Sequence, residues 1–236
     1  MNFKRIIACA AAAALCVVFT ACGDSNDSSS KAETTASSAA ESANETDSAA
    51  EPVGTTDYDV NGDFRAFDAI KENYGEGYTL NLQIDYSGSV VDMSATVSGD
   101  KAYMSTVSSG MKSYSVVPGD GKVYSVYEAT TTYSVDDAQD DSAAQLDILF
   151  GATADFASAE IDAETNTVYE HYSLNTEVSA EEGEIIYGFD GATYELTSIQ
   201  IAINGIEDPD LYTVTSLGEA DTSVLEVPDV SAYSQL

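Results

Sequence analysis

The chain has 236 residues, with 8 Lys and Arg against 41 Asp and Glu, a formal net charge of -33 at pH 7. Hydrophobic residues make up 44%, too many for a wholly disordered chain, and the length suits one domain or at most two. The charge excludes a nucleic-acid binder, which needs a basic face for phosphates, and equally a polybasic binder of anionic lipid headgroups.

At the N-terminus, Lys4 and Arg5 precede an uncharged apolar run from Ile6 to Thr20. That run is about 15 residues, short of the roughly 20 a bilayer span needs, so residues 1–21 read as a secretory signal. Cys9 and Cys16 leave with it, Cys22 becomes the sole cysteine of the mature chain, and no intrachain disulfide can form. Phe19-Thr20-Ala21-Cys22-Gly23 resembles the lipobox of bacterial lipoproteins, with Phe19 where Leu is usual. The resemblance implies cleavage before Cys22 and a diacylglyceryl group on its sulfur. The mature protein would then sit lipid-anchored on the extracellular face of the cell membrane. An ordinary signal peptide with a chance cysteine is the alternative. Two acyl chains hold durably where one is marginal. They must hold against an anionic leaflet, because loss of Lys4 and Arg5 takes the net charge from -33 to -35.

Residues 22–56 then form a tether rich in Ser, Ala, Thr and Glu, with Val53 as the sole branched aliphatic. It cannot bury enough apolar surface to offset chain entropy and is expected to be disordered. Its root-mean-square span is on the order of 30 Å. A tether of this kind after a lipidated cysteine is common in surface lipoproteins of Gram-positive bacteria.

The body, residues 57–236, opens with a helix expected over Asp63 to Tyr74, where Phe64, Phe67, Ile70 and Tyr74 form one apolar stripe. Period two follows. Leu80, Leu82, Ile84 and Tyr86 alternate with polar residues, as do Val91, Met93, Ala95 and Val97 after the Ser87-Gly88 turn. A third strand is expected from Ala102 to Val107. Three copies of Tyr-Ser-Val, at 114–116, 124–126 and 133–135, predict an up-and-down meander. Ala144, Leu146, Leu149 and Phe150 suggest a second short helix ended by Gly151. Strand signals return at 167–174, 184–190, 193–203 and 211–217. A phase switch near Thr197-Ser198 predicts a bulge or sharp bend. The fold class is therefore mainly β (α+β): a large curved antiparallel sheet, a half-barrel of about ten strands, covering two short helices.

No constellation suggests catalysis, and the chain reads as a non-enzyme with no cofactor. His171 is the only histidine, falls on the water-facing phase of its strand, and has no partner nucleophile motif. Asp136-Asp137 and Asp140-Asp141 imitate a carboxylate pair but sit in a polar connection, where a raised pKa is not expected. Residues 57–68 imitate a calcium loop, with Asp57, Asp59, Asn61, Gly62 and Asp68 at matching positions. Val60 and Arg65 break the pattern, so a segment capping the first helix is the competing reading and no metal site is assigned. From Val123 onward there is no Lys or Arg, which suits a solubilising acidic surface.

The leading helix, the hairpin at 78–98, Gly99-Asp100-Lys101-Ala102-Tyr103, the meander around Asp120 to Tyr124, the mid-chain helix and Leu225-Glu226-Val227-Pro228 together resemble the LolA/LppX-like lipoprotein-carrier fold. That resemblance implies a lipid or other hydrophobic ligand held in a cavity between sheet and helices. The lining would include Phe64, Phe67, Ile70, Leu80, Leu82, Ile84, Val91 and Met93. The same faces could instead close into a tight core. The rival function is a surface interaction or adhesion module with an acidic contact face and an unknown protein partner.

Overall fold

A computed structural model describes residues 56–86, 88–151, 153–174, 182–204 and 210–236. The signal, Cys22 and the tether as far as residue 55 lie outside the described residues. Among those described, no helix is long and apolar enough to cross a membrane.

Strands pair with their sequence neighbours, the first five through turns that contain Gly88, Gly99, Gly110 and Gly119-Asp120-Gly121, and two meanders result. The first holds β1 (Gly77–Tyr86), β2 (Ser89–Ser98), β3 (Lys101–Ser108), β4 (Met111–Val117), β5 (Lys122–Tyr127) and β6 (Thr132–Asp137). The second holds β7 (Thr153–Asp162), β8 (Thr167–Leu174), β9 (Gly183–Asp190), β10 (Leu196–Ile203) and β11 (Asp210–Gly218). They join where β11 lies antiparallel to β1, and β12 (Ser234–Gln235) adds parallel to β6. One sheet of twelve strands results, in the order β12-β6-β5-β4-β3-β2-β1-β11-β10-β9-β8-β7. It is open, with β7 and β12 at its edges, so twelve strands replace the ten or so expected.

Among the described residues one α-helix, α1 (Ala66–Tyr74), lies on one face, the helix face. It begins later than the sequence pattern suggested, because Arg65 is extended, with φ -129° and ψ 130°. Phe64 is consequently outside the helix and 51% exposed. The second expected helix is a correction: only Ala144–Leu146 is helical, as a single 3-10 turn. Asp147 stops it. Its carboxylate accepts hydrogen bonds from the backbone N–H groups of Leu149 (3.2 Å) and Phe150 (2.8 Å), offering the backbone an alternative to helix. The apolar spacing at 144–150 was real all the same, since Leu146 and Leu149 are both buried.

The main core forms on the helix face of β1, β2 and β8–β11, from Leu80, Leu82, Ile84, Val168, Ile185 and Phe189 among others, under Phe67 and Ile70 of α1. Each such side chain taken from water contributes about 1.5–3 kcal/mol before entropy is counted. Two straps complete the sheet. Residues 138–151 cross the helix face from the β6 edge, setting Leu146 on Ala102 and Val117 and Phe150 against Phe67 and Tyr78. Residues 219–233 cross the opposite face. There Asp221 caps Thr222–Leu225, and Leu225 packs on Tyr103 and Val116. Adjacent residues in a strand face opposite ways, so the neighbours Ala102 and Tyr103 meet different straps. In the Tyr-Ser-Val copies, Tyr and Val face the C-terminal strap side while Ser115 and Ser125 bond each other on the helix face, 3.0 Å apart.

Strand β7 carried no sequence signal, because Thr-Ala-Asp-Phe-Ala-Ser-Ala-Glu-Ile-Asp lacks apolar alternation. It is an edge strand, and its register shifts between Thr153 and Ser158 together with its acidic residues blunt that edge against pairing with other chains.

Candidate functional site

Glu170 positions the site. It occupies the inward phase of β8, alternating with Val168, Tyr172 and Leu174, and is fully buried. Four donors satisfy its carboxylate. Oε1 accepts from the Tyr58 hydroxyl (2.7 Å) and the Ala66 N–H (2.6 Å), while Oε2 accepts from the Phe67 N–H (3.1 Å) and the Tyr172 hydroxyl (2.9 Å). Two of these donors are the first free N–H groups of α1, where a negative charge also meets the positive end of the helix dipole. Burial, reinforced by the Glu170 carboxylate, pushes the hydroxyls of Tyr58 and Tyr172 well above the usual tyrosine range, so they remain donors. The side chain that caps α1 therefore comes from more than 100 residues downstream, and none of the acidic residues at 57–63 does it.

Pinned at its N-terminus, α1 rises over β10 and β11 and leaves a groove of about 660 Å³ between them. Phe64, Ala69, Ile70 and Tyr74 form one wall, and Tyr194, Leu196, Val214 and Leu217 are among the residues of the other. Asn73, Thr193, Thr197, Thr215 and Ser216 supply polar groups, and Glu195 is the one charged side chain of the lining. The two strands part beneath the groove. Their ladder runs from Ile201–Asp210 to Ser198–Thr213 and stops. Beyond that point each strand carries one extra residue against its other neighbour: Thr197 of β10 opposite β9, and Thr215 of β11 opposite β1. The bend expected near Thr197-Ser198 is thus a bulge at Thr197.

The rim is aromatic. Tyr194 sits in the left-handed region, φ 58°, an uncommon conformation for a bulky residue. The preceding turn holds it there: the Asp190 carboxylate accepts from the N–H groups of Thr193 and Ala192, which keeps it below the usual carboxylate range, and the Asp190 carbonyl accepts from Tyr194 N–H. Tyr194 in turn donates its hydroxyl to Asp57 (2.6 Å) and packs against Phe64 and Tyr58, with ring centroids 5.3 and 6.0 Å away. The N-terminal end of the body therefore reaches the sheet at the groove mouth.

The residues singled out from sequence divide between groove and core. Phe64 and Ile70 line the groove. Phe67, Leu80, Leu82, Ile84 and Val91 lie in the packed cluster, and Met93 is half-buried against it. His171 lies on the face opposite α1, with Nδ1 3.1 Å from Glu184 and Nε2 3.9 Å from Glu160. The two carboxylates approach different ring nitrogens and cannot share one ion with it. Asp137 pairs with Lys122 at 2.6 Å on the surface, and Asp141 accepts from Gln145. Of the calcium-like positions, Asp57 takes the Tyr194 hydroxyl and Asp59 takes the Asn61 N–H (3.0 Å). No cluster of three or more metal-ligating side chains occurs among the described residues. Glu170 was not anticipated, although a carboxylate in the apolar phase of a strand is a readable signal.

No family model matches the chain, and no curated protein matches it. Among solved structures it is similar to an uncharacterized conserved protein from Thermus thermophilus, at 8% identity and a TM-score of 0.46, over 72% of this chain and 96% of that one. A likeness at that level identifies neither fold family nor function.

Proposed function

We propose that this is a lipid-anchored extracellular lipoprotein, of the LolA/LppX-like kind, that binds a hydrophobic ligand between its helix and its sheet. The observation that carries the reading is the groove of about 660 Å³ beneath α1, a size typical of ligand sites, with aromatic and aliphatic walls and a few polar groups. Its position supports the reading further. Residue 57 meets the groove rim through Tyr194, so a tether from a lipidated Cys22 would join the body beside the groove mouth. Curvature of the sheet about α1 into a half-barrel, as in lipoprotein carriers, belongs to the same proposal.

Two measurements test it. Metabolic labelling with a radioactive fatty acid should mark the wild-type chain and leave Cys22→Ser unlabelled; label retained on the variant would refute anchoring at Cys22. Native mass spectrometry after gentle purification should show a co-purifying small molecule that Ala69→Trp, which fills the groove, displaces. A bare wild-type protein that also takes up no added apolar fluorophore would end the ligand reading.

A further inference from the structure

We infer that the groove receives an extended peptide segment, neutral or basic, which adds as a short strand to the free edge of β11 at Val214–Leu217. The inference rests on the ligand-binding reading of the groove and names its ligand class. The first ground is the interrupted ladder. Had the β10–β11 pairing continued, Thr197 would face Val214 and Leu196 would face the bulge residue Thr215; instead all four line the groove. Among the described residues, nothing pairs with the edge of β11 that looks away from β1 along this stretch. A row of unpaired N–H and C=O groups is a template for an incoming strand. A purely apolar chain would leave those groups without partners, whereas a peptide satisfies them.

The second ground is the texture of the walls. Apolar Ile70, Leu196 and Val214 are interspersed with polar Asn73, Thr197 and Ser216. That mixture suits a strand whose successive side chains point opposite ways. The third ground is charge. Glu195 is the sole ionised group of the lining, and the chain as a whole carries a net charge of -33. An anionic amphiphile meets repulsion on approach, while a segment with basic flanks is drawn in.

The test uses the full chain and fluorescence anisotropy with a rhodamine-labelled capped peptide, Lys-Val-Thr-Ile-Thr-Val-Lys. A second peptide is the same but N-methylated on alternate residues, which keeps charge and side chains and blocks one hydrogen-bonding edge. Expected results are binding of the first, at least tenfold weaker binding of the second, and a similar loss on Glu195→Lys or Ala69→Trp. Equal binding of the two peptides would overturn the inference, and because that arm uses unaltered protein it does not depend on any variant folding. A dansylated fatty acid provides the contrast. If it binds in the groove and the peptide does not, the peptide inference falls while the hydrophobic-ligand reading stands; if neither binds, both fall.

Discussion

Replacing Glu170 with Gln tests whether one buried carboxylate holds α1 on the sheet. The change keeps size and shape and turns one acceptor oxygen into a donating amide. Whichever way the amide lies, one backbone N–H, that of Ala66 or of Phe67, then faces another donor, while the tyrosine hydroxyl bonded to the same atom can turn and accept from the amide. Hydrogen bonds to a charged group contribute about 1.5–3 kcal/mol each, so losing one outright costs at least about 1.5 kcal/mol. In a body of this size each kcal/mol moves Tm by about 2–4 °C, so Tm should fall by at least about 3 °C. Thermal and urea melts followed by circular dichroism give the number. Tyr172→Phe supplies the cross-check: it should cost less in the Glu170→Gln background than alone, because part of its partner is already gone. A loss under about 1 kcal/mol for Glu170→Gln would refute the assignment of Glu170 as the helix anchor.

Tyr78 donates to Asp147 (2.6 Å) and accepts from the Leu149 N–H (3.2 Å), so Tyr78→Phe should destabilise by about 1–3 kcal/mol in urea melts. Leu225→Ala removes a side chain that is 1% exposed from between Tyr103 and Val116; a loss of about 2–5 kcal/mol is expected, with increased binding of a dye that reports apolar surface. Asp210 is held above the usual carboxylate range by burial. An acid whose folded pKa is raised destabilises the fold once pH exceeds that value and has no effect below its unfolded value of about 3.9. Asp210→Asn should therefore raise Tm slightly at pH 7, by about 1–2 °C, and leave it unchanged near pH 3. A gain that is equal at both pH values would refute the burial argument.

What the sequence disclosed follows from what period counting can see. Alternation located β1–β6 and β8–β11, because apolar and more polar residues take turns along them, and the break in phase at Thr197 disclosed a bulge. Alternation is silent on β7, an edge strand whose Ala, Ser and Asp residues bury little. Spacing alone could not separate the helix expected at 144–150 from a strap with two buried leucines, since the decision lay with the Asp147 side chain competing for backbone N–H groups. A cavity under the first helix, with Phe64 and Ile70 in its lining, was expected, but its position over β10 and β11 was out of reach for a different reason. The groove is made by the failure of β10 and β11 to stay paired and by Glu170 pinning α1 from a distant strand, both of which are long-range facts.

The seam between β1 and β11 carries a consequence for how the molecule is made. A chain emerging N-terminus first can assemble β1 to β6 early, yet β1 keeps a bare flank until residue 218 exists. The strap carrying Leu225 comes later still. β12, made after that strap, shields the outermost strand of the early half. Completion of the sheet is thus postponed to residues 210–236, and a nascent chain stalled short of them would present adhesive edges and a tyrosine-rich surface to its neighbours.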